Sequence, residues 1–309
     1  MKKKILVAVD GSIYSRKAIE YVVKMESVIK DLNYTLLNIH PKISEFLIED
    51  LRIDSKARST LKEVTVRNHE NSIRVLNDTK SLMIKLAVNE SQIETISRSV
   101  VKGTAKDIID YGRKGLYDAI VMGRRGISPL AEVFMGSVTN RVLEHTNITP
   151  VWAIGGEVKS LKIMLAVDGS ESSLRAVDHV IFMLGENPDI RITLLHVMPR
   201  LRDYCEINFE DKEDILEDTI KQRDKQCIDD FYAHAQKKIK EAGLKKSQLD
   251  FKRVVSTINI GKSIVNEVRK GNFGTVVIGR RGTDDSFFLG GVSRFVLASI
   301  SNRAVWLVP

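Results

Sequence analysis

The fold of this chain is decided by the stretch Ile5-Leu6-Val7-Ala8-Val9-Asp10-Gly11-Ser12, in which five apolar residues run directly into an Asp-Gly-Ser turn. The last four of these residues return as Val167-Asp168-Gly169-Ser170. Three further segments recur in the same order, at intervals of 154 to 158 residues; they begin at Leu36, Val121 and Val151 and return at Leu194, Val277 and Val305. This order and spacing predict a duplicated domain of about 155 residues, which is too long for a solenoid repeat.

Composition is typical of a globular protein with two cores. The 309 residues are 43% hydrophobic and 28% charged, and the net charge is +8. Lysines alternate with acidic residues and aromatics make up only 6%, so no stacking platform for nucleic acid is indicated. We expect a mildly basic, solvated surface and no nucleic-acid partner.

Targeting and metal signals are weak. The five apolar residues after Met1-Lys2-Lys3-Lys4 are too few for a signal peptide, and no apolar stretch approaches the roughly 18 residues of a membrane span. Cys205 and Cys227 lie 22 residues apart without a histidine at ligand spacing. The sequence therefore predicts a cytoplasmic protein with no membrane contact, no disulfide and no metal site.

Each half alternates apolar strands with helical patterns. Buried strands joined by helices predict a parallel sheet covered on both faces. The fold class is thus α/β, as two tandem doubly wound domains over residues 1–155 and 158–309. In the first half, the polar segment 42–92 is predicted to be mostly helical, and its buried stripe is Leu76, Met83, Leu86 and Ala87. In the second half, the helix that ends at Gly243 has the buried stripe Ile228, Phe231, Ala235 and Ile239.

The segment after the fourth strand carries a pattern suited to a phosphate. Gly123, Gly126, Gly136 and Ser137 are spaced as Gly-x2-Gly-x9-Gly-Ser, and Arg124 and Arg125 add positive charge. Glycines let backbone amides approach an anion, and a helix beginning at Ser137 would offer it free N–H groups. The alternative is a tight turn whose glycines serve packing and whose arginines lie in solvent.

Other residues have plainer interpretations. Asp10 is either a ligand contact or a turn residue, and Ser12 is a candidate N-cap. His40 and His196 are matched across the repeat and interpreted as packed strand-end residues, because no carboxylate is patterned beside them. Trp152 and Trp306 are expected in the core or at an interface. Gly261-Lys262-Ser263 lacks the glycine at 256 that a P-loop needs.

The Asp-Gly-Ser turn, the second strand that ends near a histidine, the Gly103 turn and the Gly-x2-Gly-x9-Gly-Ser segment together resemble the universal stress protein family, in two tandem copies. The resemblance implies five-stranded sheets in the order 3-2-1-4-5 and binding of ATP or AMP, with or without Mg²⁺, without efficient turnover. It also implies pairing through the fifth strands, here within one chain or in a homodimer. The nucleotide-binding residues so implied are Asp10, Gly11, Ser12, Ile39, Gly103, Gly123, Arg124, Arg125, Gly126, Gly136, Ser137, Val138 and Thr139.

The second copy departs from this pattern. Seven residues rather than nine separate Gly282 from Gly290, Gly291 stands where Ser137 stood, and Asp284 and Asp285 occupy the shortened segment. We expect a weaker second site, because misplaced donors and two carboxylates oppose a phosphate. Its residues are Asp168, Val197, Gly279, Gly282, Gly290 and Gly291.

Three functions stay open. The first is a non-catalytic, adenine-nucleotide-binding protein of stress response or signalling, with an unidentified protein partner. The second is a slow ATPase that uses the same site. The third is a tandem interaction scaffold without a ligand. The intact first loop favours the first, and no catalytic residue is predicted because neither a P-loop lysine nor a residue that positions water is evident.

Overall fold

A computed structural model describes residues 2–44, 46, 54–124, 136–185, 187–200, 213–256, 258–280 and 289–309. The chain forms two compact units. The first consists of Met1–Lys24 and Asp31–Val151, and the second of Met25–Lys30 and Trp152–Pro309. No helix among the described residues is both long and apolar enough to cross a membrane.

The first half of the chain alternates strands and helices as its sequence predicts. The strands are β1 (Lys3–Ala8), β2 (Leu32–His40), β3 (Ile93–Ser99), β4 (Ala119–Gly123) and β5 (Val151–Ile154). The helices are α1 (Ile13–Met25), α2 (Ser55–Lys85), α3 (Thr104–Lys114) and α4 (Ser137–His145). A 3-10 turn at Glu90–Gln92 leads into β3.

The second half repeats this plan. Its strands are β6 (Ile163–Val167), β7 (Ile192–Met198), β8 (Leu249–Val255), β9 (Thr275–Gly279) and β10 (Ala304–Val308). Its helices are α5 (Glu171–Leu184), α6 (Glu213–Glu241), α7 (Ile260–Lys270) and α8 (Gly291–Ser299). A 3-10 turn at Lys246–Gln248 precedes β8.

Strand order confirms the predicted fold class. The first-half strands are ordered β3-β2-β1-β4-β5 and the second-half strands β8-β7-β6-β9-β10, which is the order 3-2-1-4-5 twice. The pairs β1–β2, β2–β3 and β1–β4 are parallel, and so are their counterparts in the second half. Helix α3 packs on α4, α7 on α8 and α5 on α6. Parallel strands need such crossover helices, and their carboxyl ends therefore share one edge.

Burial follows the predicted stripe of α6 throughout and that of α2 only in part. In α6, the stripe of Ile228, Phe231, Ala235 and Ile239 is buried, and Gly243 follows the helix in the left-handed region at φ +82°. In α2, Leu76 and Met83 are buried as predicted, but Leu86 is 40% exposed and Ala87 is exposed as well. The prediction was wrong for Leu86 and Ala87 because α2 ends at Lys85 and the chain turns away at Ala87, which has φ +73°.

The two tryptophans lie in the core of the second unit. The indoles of Trp152 and Trp306 are fully buried and stack in parallel, with 3.9 Å between ring centroids. Trp152 Nε1 donates a hydrogen bond of 3.1 Å to His179 Nε2. Complete burial lowers the pKa of His179 to about 3, so this ring is neutral at neutral pH. Burial of both tryptophans agrees with the expectation that they lie in the core or at an interface.

Candidate functional site

The turn after β1 is built around the carboxylate of Asp10. The backbone N–H of Ser12 donates to Asp10 Oδ1 at 2.9 Å, and Gly11 has φ +77°. The Ser12 hydroxyl then caps α1 by accepting from Ser15 N at 3.1 Å, which confirms the predicted N-cap. Among the described residues, the bond from Ser12 is the one hydrogen bond that the Asp10 carboxylate accepts. A carboxylate can accept several, so most of its capacity is left for a ligand.

The end of β2 lies directly beside this turn. Ala8 pairs with Leu37 in the register of the parallel strands β1 and β2. Asp10 and Ile39 each follow two residues later, so the same register places them side by side. Between them, Asn38 Nδ2 donates to the carbonyl of Val9 at 2.7 Å. Ile39 is half-buried and pairs with Arg98 of β3. The structure therefore brings Asp10 and Ile39 to the same corner of the sheet edge.

Gly103 begins α3 at the same edge. Its φ of +110° lies in a region that residues with a side chain rarely adopt, and a Cβ here would meet no atom within 4 Å. The glycine is required by conformation rather than by space. Its carbonyl accepts from Asp107 N at 2.9 Å, which starts the helix.

The end of β4 is held tightly against α1. A Cβ on Gly123 would lie 2.6 Å from the carbonyl carbon of Tyr14, and Thr139 Oγ1 donates to the Gly123 carbonyl at 2.8 Å. Arg124 is 6% exposed. Gly123 therefore has the packing role of the alternative interpretation. The part of that interpretation that places the arginines in solvent is wrong for Arg124. Arg125 and Gly126 lie outside the described residues.

Helix α4 starts where the described chain resumes. The N–H of Gly136 donates to the Arg124 carbonyl at 2.8 Å, which ties the start of α4 to the end of β4. Ser137 is exposed and Val138 half-buried. The N–H groups of Ser137 and Val138 have no acceptor within the helix, so they can donate to an anion that the helix dipole also attracts. The N–H of Gly136 already donates to Arg124.

Gly103, Ser137 and Val138 line one groove of about 650 Å³ between α3 and α4. The N-terminal ends of both helices lie in it. The charged Lys, Arg and Asp side chains of its lining are Lys102, Lys106, Asp110, Arg113 and Arg141. Asp110 is paired with Lys102 at 3.0 Å. The lining has a positive excess, which suits an anionic ligand. Gly11 and Ser12 line a different groove, of about 620 Å³, between α1 and α2.

The second half has the same framework but a different carboxylate environment. Asp168 Oδ1 accepts from both Ser170 N at 3.0 Å and Ser173 Oγ at 2.7 Å, so it is more fully engaged than Asp10. Gly290 N donates to the Arg280 carbonyl at 3.2 Å, as Gly136 does to Arg124. Val197 is buried and Gly291 is the first residue of α8. Gly282, Asp284 and Asp285 lie outside the described residues.

The α7–α8 surface differs from its counterpart in the same way. The fifth residue of α4 is Arg141, and the fifth residue of α8 is Phe295. The Phe295 ring lies against Gly261, where an added Cβ would be 2.9 Å from Phe295 Cδ1. An aromatic ring therefore replaces a cation at this position.

The two histidines matched by sequence do not occupy equivalent positions. Val167 pairs with His196, whose Nδ1 lies 2.9 Å from the Val167 carbonyl. In the first half that carbonyl contact is made by Asn38, so His196 corresponds to Asn38. The expectation that no carboxylate lies beside the histidine is also wrong for His196, because Asp224 Oδ2 of α6 lies 2.8 Å from its Nε2. Both neighbours of this buried ring are acceptors.

Sequence reasoning missed Asp224, but a signal for it exists. Asp224 precedes Ile228 by four residues and so falls on the buried stripe of α6. On α2, Ser72 precedes Leu76 by four residues and His69 precedes it by seven, so both fall on the same helical face. A polar residue on an apolar helical stripe marks a partner at a strand end. Among the described residues, no group of three or more His, Cys, Asp or Glu is placed to hold a metal ion.

Comparison with known proteins agrees with this architecture. A universal stress protein of Mycolicibacterium smegmatis is 24% identical over 199 residues, which is 62% of this chain and 63% of that protein. A universal stress protein structure from Archaeoglobus fulgidus matches with a TM-score of 0.64 and 19% identity, over 99% of this chain and 97% of that one. A protein of unknown function from Pseudomonas aeruginosa PAO1 matches at 0.61 and 16%, over 99% and 92%.

Those two structures share the fold at low identity, and the chain spans less than two thirds of the curated relative. The family assignment rests on the sequence itself. The sequence model of the universal stress protein family matches residues 1–155 and again residues 160–309. Together these matches cover nearly the whole chain, so the chain belongs to the universal stress protein family, whose domain it carries twice in tandem.

Proposed function

We propose that this chain binds one adenine nucleotide, ATP or AMP with or without Mg²⁺, within residues 1–155 and acts in stress response or signalling through a protein partner. The observation that carries the proposal is the basic groove along α3 and α4, whose lining includes the N-terminal ends of both helices. Two helix dipoles and a positive lining favour a phosphate there. A cytoplasmic location and pairing of the two domains, defined as 1–155 and 158–309, belong to the same proposal.

The nucleoside would lie at the corner formed by Asp10 and Ile39. The Asp10 carboxylate has acceptor capacity for a sugar hydroxyl, and the backbone at Ile39 is close to the base position that the family resemblance implies. Phosphates would then meet the N–H groups of Ser137 and Val138. Gly123 and Thr139 would act indirectly, by fixing the end of β4 against the start of α4.

The second domain is proposed to bind nucleotide weakly or not at all. Two features of the described residues support this. Asp168 is engaged by the Ser173 hydroxyl, and Phe295 stands where the first domain has Arg141. A ligand hydroxyl would have to displace the serine, and the fifth residue of the helix offers the phosphate an aromatic ring instead of a cation. The shortened segment with Asp284 and Asp285 in the sequence acts in the same direction.

Calorimetric titration with ATP and with AMP should therefore give one site per chain. Asp10→Ala should weaken binding by about 10- to 100-fold, the value of a charge-assisted hydrogen bond. Asp168→Ala is the matched control, because it removes the same turn bond to a serine N–H, and it should leave the affinity unchanged. Two equal sites, or a single site lost in Asp168→Ala and kept in Asp10→Ala, would contradict the assignment.

Turnover of bound ATP should be far below the roughly 1–100 s⁻¹ of kinases. The described part of the site offers Asp10 but no lysine of P-loop type. Gly261-Lys262-Ser263 lies in the first turn of α7, whose N-terminus is capped by Asn259. A phosphate-release assay checks this. Turnover in that range, lost in Asp10→Asn, would make the slow ATPase the better description.

A further inference from the structure

A pair of histidines at the end of β2 stands apart from the groove described above. His40, the last residue of β2, is buried, and His69 is exposed on α2. His40 Nε2 and His69 Nδ1 are 3.4 Å apart, and the ring planes meet at 62°. The Ser97 hydroxyl of β3 lies 3.4 Å from the same His69 nitrogen. His69 Nδ1 of α2 thus has a nitrogen of β2 and an oxygen of β3, each 3.4 Å away.

This separation is the one that two ligands of a tetrahedral metal ion adopt. Zinc–imidazole bonds of about 2.0–2.1 Å at the tetrahedral angle place the two nitrogens about 3.3–3.4 Å apart. A proton shared between the two nitrogens accounts for their contact in the metal-free protein. A metal ion would replace that proton, and the His69 ring would stay neutral with its proton on Nε2.

The surrounding hydrogen bonds suit metal binding. His40 Nδ1 lies 3.2 Å from the Pro41 carbonyl, which can only accept, so Nδ1 carries the proton and Nε2 presents its lone pair. Asn68 Nδ2 donates to the same carbonyl at 3.4 Å. Metal-binding histidines are typically oriented in this way by a backbone carbonyl on the other nitrogen. Ser72 and Ser97 share a hydrogen bond of 2.7 Å, which fixes the Ser97 hydroxyl.

We infer that His40 and His69 form a binding site for one late first-row divalent ion, Zn²⁺ or Cu²⁺. The Ser97 hydroxyl or water would complete the coordination. Imidazole nitrogen prefers these ions, whereas Mg²⁺ prefers oxygen ligands. The second half lacks the pair, because Met198 occupies the register position of His40. This site runs against the sequence-based expectation of no metal, which considered only spacing along the chain.

The test uses tag-free, nucleotide-free full-length protein. Zn²⁺ titration followed by calorimetry should give one site per chain that His69→Ala weakens at least tenfold. His69 is exposed, so this variant is expected to fold, and circular dichroism checks that it does. His234→Ala, an exposed helical histidine of α6, is the matched control and should bind as the wild type does. Mg²⁺ should not compete.

Electron paramagnetic resonance of the Cu²⁺ form gives a second readout. Nitrogen hyperfine structure should report two imidazoles in the wild type and one in His69→Ala. Absence of Zn²⁺ binding by the wild type, unchanged affinity in His69→Ala, or equal loss in His234→Ala would overturn the site. None of these outcomes bears on the nucleotide proposal, since no nucleotide is present.

Discussion

Gly123→Ala should lower the free energy of unfolding of the first unit by about 2–3 kcal/mol, the upper part of the usual cost of forcing an extra methyl group into a packed core. The added Cβ would lie 2.6 Å from the carbonyl carbon and 2.7 Å from the carbonyl oxygen of Tyr14. Both atoms are backbone, so rotation of a side chain cannot relieve the contact. Helix α1 would have to move away from β4, which would also disturb the turn that holds Asp10.

Two other glycines calibrate this expectation. Gly279→Ala is the counterpart in the second half, where the nearest atom is the rotatable Ser172 Oγ at 2.5 Å and the backbone is 3.1 Å away. Its cost should be smaller, about 1 kcal/mol. Gly291→Ala meets nothing within 4 Å at the start of α8, so stability should stay the same or rise by up to about 1 kcal/mol.

Denaturant unfolding of the three variants measures the series, with hydrogen exchange to locate each change. The expected order of destabilisation is Gly123→Ala, then Gly279→Ala, then Gly291→Ala. Equal effects at Gly123 and Gly291 would mean that the close approach to Tyr14 is not what requires glycine at the end of β4. Loss of nucleotide binding without loss of stability in Gly123→Ala would instead assign that glycine to the ligand.

The fold was largely predictable because the relevant signals are local or repeated. Continuous apolar runs such as 5–9 and 119–122 specify buried parallel strands, and the duplication applies the pattern twice. The errors at Leu86 and Ala87 arose because apolar periodicity carries no information on where a helix stops. Ala87 adopts a left-handed conformation that an alanine in the sequence does not predict. Gly243 adopts it at the corresponding position, where a glycine does predict the end of a helix.

The candidate site was predictable only in part, since its partners are distant in sequence. The repeat in the sequence pairs His40 with His196 as equivalent residues. The register of the strands instead makes Asn38 the residue equivalent to His196. The sequence also does not predict which of the two carboxylates accepts a second hydrogen bond. Asp10 and Asp168 share one motif, and the difference is that the hydroxyl of Ser173, five residues after Asp168, turns towards that carboxylate. Such choices depend on side-chain rotamers, which spacing does not specify.

Acidification should destabilise the second unit through His179. The folded-state pKa is about 3, and the ordinary value in an unfolded chain is 6.5. The unfolded state therefore binds more protons between these values, so the stability contribution is complete above about pH 6.5 and falls as the pH drops towards 3. At pH 4 the loss should be about 3 kcal/mol. Protonation would also set an N–H against the Trp152 N–H that His179 Nε2 now accepts.

His179→Gln isolates this effect, because its amide oxygen can still accept from Trp152 but does not titrate. Denaturant unfolding at pH 7 and pH 4, followed by the fluorescence of the stacked Trp152 and Trp306, should show a smaller acid loss in the variant by about 3 kcal/mol. Comparing the two proteins cancels other titrating groups, such as Glu267 beside Lys252. His179→Phe should be less stable at pH 7, since it leaves the buried indole N–H without its acceptor. Equal acid sensitivity in the wild type and His179→Gln would mean that the buried ring accepts a proton without unfolding.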